Sequence, residues 1–165
     1  MDEVTKNNPA QNFYDLRYLM PFTEAVLLEV QRLGNIVPSS LLHANSRETN
    51  IGDFILPRGT SINSSMEAIL MDPNVFTDPY IFNPDRFIDE NGCFIPHPNV
   101  VPFGVGKRRC LGESLAKTEL FIFFTGLIQK FEINLANEED VPSTKYRPGI
   151  TLSPYPFKVR FIARN

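Results

Sequence analysis

The stretch Phe103-Gly104-Val105-Gly106-Lys107-Arg108-Arg109-Cys110-Leu111-Gly112 decides how this chain is read. It sets one cysteine, Cys110, on a glycine-braced turn behind three consecutive cations. The helical pattern of residues 110 to about 131 starts at that cysteine. A helix dipole and neighbouring positive charges both favour a thiolate. A thiolate held in this way serves as a nucleophile or as a metal ligand.

Composition narrows the field. The 165 residues suffice for one domain with a core, and 42% hydrophobic with 12% aromatic content is globular. A net charge of −3 gives no global electrostatic reason to expect nucleic acid as a partner. Two cysteines and no secretory signal argue against a disulfide framework. The longest strongly apolar run, Leu120 to Ile128, is too short to span a bilayer. Six of the fourteen prolines fall between Pro73 and Pro102, which rules out regular helix there. A loop that long inside a compact domain is usually functional, and this one leads into the Cys110 turn.

Reading outward, residues 1–19 are polar and broken at Asn7, Asn8 and Pro9, as at the end of an upstream element followed by a linker. A helix is expected from Pro21 to Leu33, with proline suited to its first turn. At ~100° per residue, Phe22, Val26, Val30 and Leu33 share a stripe of about 80°. Glu29 falls in that stripe, where a carboxylate is costly unless paired. Arg32, three residues on, is within reach. Residues 35–63 read as a small antiparallel β region with a turn at Pro57-Arg58-Gly59. Residues 65–71 read as a short helix stopping before Asp72-Pro73. Arg86, between Phe82 and Phe87, is a candidate to turn inward to a buried carboxylate; an ordinary solvated arginine is the alternative. The 110–131 helix carries two overlapping apolar stripes, so burial over much of its surface is expected, with Glu113 and Lys117 paired on the remaining face. Short β-like segments follow at Phe131–Leu135, Ile150–Leu152 and Phe157–Ile162, with an acidic loop at Glu138-Glu139-Asp140.

Several chemistries compete for Cys110. A buried structural cysteine is the usual one. Zinc needs about four ligands, and neither Cys93 nor His97 stands at a suitable spacing from Cys110. A cysteine hydrolase needs a histidine base; His43 and His97 exist, but no oxyanion motif accompanies them. The remaining option is an axial thiolate on haem iron. Under it, Gly104, Gly106 and Gly112 let backbone approach a flat cofactor, Arg108 pairs with a propionate, and Phe103 shields the sulfur side from water.

The pattern F-x-x-G-x-R-x-C-x-G, met at Phe103, Gly106, Arg108, Cys110 and Gly112, closely resembles the haem-binding signature of the cytochrome P-450 family of haem-thiolate monooxygenases. Glu29-Val30-Gln31-Arg32 resembles that family's E-x-x-R helix, and Phe82-Asn83-Pro84-Asp85-Arg86-Phe87 its downstream arginine motif. In the family these supply a buried ion network, here Glu29, Arg32 and Arg86, behind the cysteine loop. The likeness extends from about Met20 onward and is strongest to the microsomal, drug- and lipid-metabolising branch.

The resemblance implies a mainly α chain with small antiparallel β sheets, an α+β architecture forming the C-terminal part of the cytochrome P-450 fold. Residues 1–19 would be a linker or the end of an upstream helix, and 20–165 the haem-thiolate portion. Haem is the implied cofactor, with Cys110 the ligand to iron and His43 a second propionate contact. Val37, Leu41, Ile150 and Thr151 would border the substrate pocket. An NADPH-dependent flavoprotein reductase would supply electrons at a basic patch of Lys107, Arg109 and Lys117. One atom of dioxygen would enter an apolar organic substrate and the other would leave as water. The implied location is the cytoplasmic face of the endoplasmic reticulum membrane, with association only through an N-terminal part missing from these residues. The distal helices are likewise expected to be missing, Met1 marking a partial gene model or truncated isoform, so that the fragment alone is not competent. Two other readings are a haem-thiolate isomerase or dehydratase, which usually has an altered cysteine loop, and a truncated non-catalytic product that binds other proteins.

Overall fold

The computed structural model describes residues 2–7, 14–139 and 141–164. Met1, the expected breaks at Asn8 and Pro9, and Asp140 of the acidic loop lie outside the described residues. Four helices are described: α1 (Asp2–Asn7), α2 (Pro21–Gly34), α3 (Met66–Leu70) and α4 (Glu113–Lys130). Eight short strands make four two-stranded antiparallel sheets. β1 (His43–Ala44) pairs with β4 (Ser61–Ile62), and β2 (Thr49–Ile51) with β3 (Phe54–Leu56). β5 (Phe131–Leu135) pairs with β8 (Val159–Ala163), and β6 (Tyr146–Arg147) with β7 (Ser153–Pro154). Helices carry more residues than strands, which makes this a mixed α+β chain with small antiparallel sheets.

Local chemistry sets the boundaries. Pro21 opens α2, and Asn35 closes it in the left-handed region at φ 36°. The Ser65 hydroxyl caps α3 by accepting from the Ala68 N–H. The Pro73–Pro102 region holds no regular helix beyond a single 3-10 turn at Pro84–Phe87, capped by Asn83. Ile150–Leu152 form a bend between β6 and β7 rather than a strand, because Pro148-Gly149 breaks any ladder running into them.

Two expectations about burial fail. The buried side of α2 is Ala25, Leu28, Glu29 and Arg32, with Leu27 turned to a second cluster. Phe22 and Val30, expected inside, are 56% and 49% exposed. The helix is thus rotated from the apolar stripe, and Glu29 lies at the edge shared by both. α4 begins at Glu113 rather than Cys110, and only Phe121 and Thr125 are buried on it. Leu115, Leu120, Ile122 and Leu127 face solvent because the described residues pack against a single line of the helix. Thr125 is tolerated in that line because its hydroxyl donates to the Phe121 carbonyl at 2.7 Å.

The core is therefore two small clusters. Leu16, Met20, Leu27 and Phe121 join α2 to α4. Ala25, Leu28, Phe76 and Phe87 join α2 to the proline-rich region, with Phe94 and Val100 packed alongside. A compact chain of this mass exposes roughly 8,300 Å²; this one exposes 12212 Å². Phe121→Ala should cost about 3 kcal/mol, since removing a ring that is only 2% exposed leaves a cavity. Phe123→Ala, at a ring 67% exposed on the same helix, should stay within about 0.5 kcal/mol. Urea denaturation of both variants measures the contrast.

Candidate functional site

α2 delivers Glu29 and Arg32 into the interior, each with no exposed side-chain surface. Arg32 grips Glu29 with two donors, Nε to Oε2 at 2.7 Å and Nη2 to Oε1 at 2.9 Å. Glu29 Oε1 also accepts from the Asn83 N–H at 3.0 Å and from Arg86 Nε at 3.2 Å. The arginines spend their other donors mainly on backbone, with Arg32 Nη1 also donating to the Met71 sulfur at 3.4 Å. Arg32 Nη1 reaches the Leu70 carbonyl at 2.8 Å, and Arg86 reaches the carbonyls of Thr77 and Ile81 at 3.1 and 3.2 Å. The Arg32 guanidinium also lies 5.0 Å from the centre of the Phe76 ring. Glu29, Arg32 and Arg86 thus form one network that pins the proline-rich region to α2.

That region runs directly into the cysteine turn. Gly104 and Gly106 adopt φ of +75° and +69°, which side-chain-bearing residues rarely take. The Cys110 N–H donates to the Phe103 carbonyl at 2.9 Å and closes the turn. Cys110 is exposed, three residues ahead of α4. Lys107, Arg108 and Arg109 are exposed beside it. Phe103 is half-buried, with Lys117 Nζ 5.7 Å from its ring centre. Lys117 also bonds Glu113 at 2.7 Å.

Behind Cys110 lies a cavity of about 460 Å³ between α2, α4 and the segment around Phe94. Glu24, Gln31, Lys117 and Phe121 line it with Cys110. Burial pushes the Glu24 carboxyl above its usual range, while Arg17 and Lys117 pull it back.

The remaining candidates are dispersed. His43 sits half-buried on β1, opposite Ile62. Val37 is half-buried after α2, Leu41 is exposed, and Ile150 is 87% exposed with Thr151 beside it. One bond brings these segments together, from the Leu152 N–H to the Ile36 carbonyl at 2.7 Å. Sequence reasoning missed Asn83, whose contribution is a backbone N–H, and Glu24, whose position on the cavity side follows from packing. Phe76 escaped too, although its placement in a proline-broken loop among polar residues was a signal for a buried ring.

An exposed cysteine on a glycine turn thus stands at the end of a segment pinned by a buried Glu–Arg–Arg network. The Cytochrome P450 family model matches residues 1–161. Cytochrome P450 2C23 of Rattus norvegicus is 41% identical over 146 residues, covering 88% of this chain and 30% of that protein. Cytochrome P450 2J2 of Homo sapiens is 48% identical over 138 residues, covering 84% and 27%. Cytochrome P450 2B4 of Oryctolagus cuniculus is 38% identical over 151 residues, covering 91% and 31%. The chain belongs to the cytochrome P-450 family, one of haem-thiolate monooxygenases. It spans about 30% of the length of the curated relatives it matches.

Two outcomes test this geometry. Glu29→Gln leaves Arg32 buried without its counter-charge and should cost about 3–5 kcal/mol in denaturant unfolding. Arg86→Ala should cost less, because that side chain keeps some access to water. For Glu24, a raised folded pKa means that the native state binds a proton more tightly than the unfolded chain. Its contribution is most favourable below the ordinary carboxylate pKa and is lost as pH rises through the folded one. Glu24→Gln should therefore raise the neutral-pH Tm and flatten its decline over that window, as thermal melts against pH would reveal.

Proposed function

We propose that this chain carries the thiolate side of a haem-thiolate monooxygenase, in which Cys110 would hold the haem iron. The observation that carries the reading is the exposed Cys110 thiol on a closed, glycine-dependent turn flanked by three exposed cations. The residues fit a flat anionic cofactor. A Cβ at Gly112 would stand 3.8 Å from the Cys110 sulfur, so its absence keeps the approach to the thiol clear. Leu111 offers a fully exposed apolar side chain for a macrocycle to cover.

Bound haem supplies reductive dioxygen chemistry: with two electrons and two protons, one oxygen atom enters a substrate C–H bond and the other leaves as water. The chain's own residues do the holding. The Cys110 sulfur is the iron ligand, and the closed turn fixes its direction. Arg108, and His43 in the assembled site, pair with propionates. Phe103 excludes water from the sulfur side. Glu29, Arg32 and Arg86 are structural: they hold the region that delivers the turn. Val37, Leu41, Ile150 and Thr151 border the substrate side, supported by the bond between the 36 and 152 segments; the substrate is a small apolar organic molecule.

Electrons come from NADPH through a flavoprotein reductase whose acidic face meets Lys107 and Arg109. Lys117 contributes less, being already engaged by Glu113 and the Phe103 ring. The placement is the cytoplasmic face of the endoplasmic reticulum membrane, in keeping with the microsomal relatives; among the described residues no helix is long and apolar enough to cross a membrane. The 165 residues alone do not sustain turnover. Residues 20–165 are the C-terminal haem-thiolate portion of the fold, and activity requires the remainder of the length its relatives have.

Reconstitution with haem, followed by reduction and addition of carbon monoxide, tests the ligand. A thiolate-type difference spectrum that disappears in Cys110→Ser is expected, and its persistence in that variant would remove Cys110 from the role. NADPH-driven substrate oxidation by the chain alone would overturn the need for further sequence.

A further inference from the structure

The buried ion network and the cysteine turn are joined by a contact that neither motif includes. Phe76, 2% exposed, meets the Arg32 guanidinium at 5.0 Å and the His97 imidazole at 4.9 Å, ring to ring, with an interplanar angle of 54°. One aromatic ring therefore touches both the network and the start of the segment that ends in Cys110. From His97 onward that segment is a succession of closed turns. His97 Nδ1 accepts the Asn99 N–H at 3.2 Å, and its carbonyl accepts the Val100 N–H at 3.0 Å. Gly104 then bonds the Val101 carbonyl, and Cys110 the Phe103 carbonyl, both at 2.9 Å. The 97–100 turn abuts the 101–104 turn directly along the chain, and the Phe103–Cys110 turn overlaps the latter, so few residues between 97 and 110 are free to absorb a change of orientation at residue 97. Val100 also packs on this cluster, but an aliphatic contact is non-directional, whereas a tilted ring pair sets an angle.

We propose that His97 is a positioning residue: its imidazole, docked on Phe76, sets the orientation of the 97–110 turns and so aims the Cys110 thiol. The role is carried by the ring and its contact, so another aromatic side chain should fulfil it. It rests on Cys110 being the haem ligand only for its consequence in the loaded protein; the mechanical claim concerns the chain without haem.

The experiment is residue-resolved amide hydrogen exchange on the 165-residue chain without haem, comparing His97→Ala, His97→Phe and Val100→Ala. His97→Ala should speed exchange at Gly104 and Cys110 by about two- to tenfold, the size of effect that an aromatic pair commands, while the α2 amides keep their protection. His97→Phe should restore the slow rates. Unchanged exchange in His97→Ala, a uniform rise across all protected amides, failure of His97→Phe to rescue, or an equal local effect from Val100→Ala would each overturn the proposal. Should His97→Ala not fold, His97→Gln, which keeps an acceptor for Asn99 but no ring, carries the same comparison. In haem-loaded protein, the thiolate-type share of the carbon monoxide spectrum should fall in His97→Ala and recover in His97→Phe. If wild type gives no such spectrum, the haem reading fails while the exchange result still stands or falls by itself.

Discussion

The Glu29 carboxylate is what holds the proline-rich region, and with it the approach to the cysteine turn, on α2. Its two oxygens accept four donors from three places in the chain: two from Arg32, one from the Asn83 backbone and one from Arg86. That matches the acceptor capacity of an ionised carboxylate. Stabilisation alone is a poor reason to keep such a group, because desolvating buried charges costs about what their attraction returns. What the network provides is register. Arg32 extends it to the end of α3 through the Leu70 carbonyl, and Arg86 to the loop carbonyls of Thr77 and Ile81. The loop's six prolines each remove a backbone donor, and its remaining N–H groups close local turns rather than a ladder. An external charged template holds it where a ladder cannot.

The same constraint explains how this chain is ordered while exposing so much surface. Two small apolar clusters flank the network, and α2 contributes to both. The surface exceeds that of a compact chain of equal mass by roughly 3,900 Å², an excess of the size buried in obligate interfaces. It includes exposed apolar side chains such as Phe22, Val30, Leu111 and Phe123. A chain that spans about 30% of its relatives' length would leave such faces open if their partners lie in the remaining length.

That exposure also decides what could be read from sequence. Element positions were legible: α2, the short helix near residue 66 and the strand at Phe131–Leu135 follow from proline placement, a serine cap and local pattern. Which face points inward was not. Periodicity assumes that apolar residues seek the core, so it nominated Phe22 and Val30 on α2 and most of α4. Glu29 and Arg32 show themselves locally, as a carboxylate in the apolar stripe with an arginine in reach, but their further partners 38 to 57 residues away lie in no local window. The cysteine turn was legible because glycine at positive φ leaves a compositional trace. The dispersed candidates His43, Leu41 and Ile150 were nominated by likeness alone, and nothing in their own spacing could have placed them.

His97 illustrates the limit from the other direction. In sequence it drew notice as a possible metal ligand or catalytic base, since histidine is rare in this chain. Its contacts are those of a ring: a face on Phe76 and an Nδ1 that accepts the Asn99 N–H. A histidine used this way links two parts with different demands. The Glu29–Arg32 pair must be dry, since water would compete for the donors of Arg32. The thiol must be open, since whatever it ligates has to reach it. Phe76 touches Arg32 and His97, so on the proposed role a buried template reaches the segment leading to the exposed turn without itself being exposed to solvent.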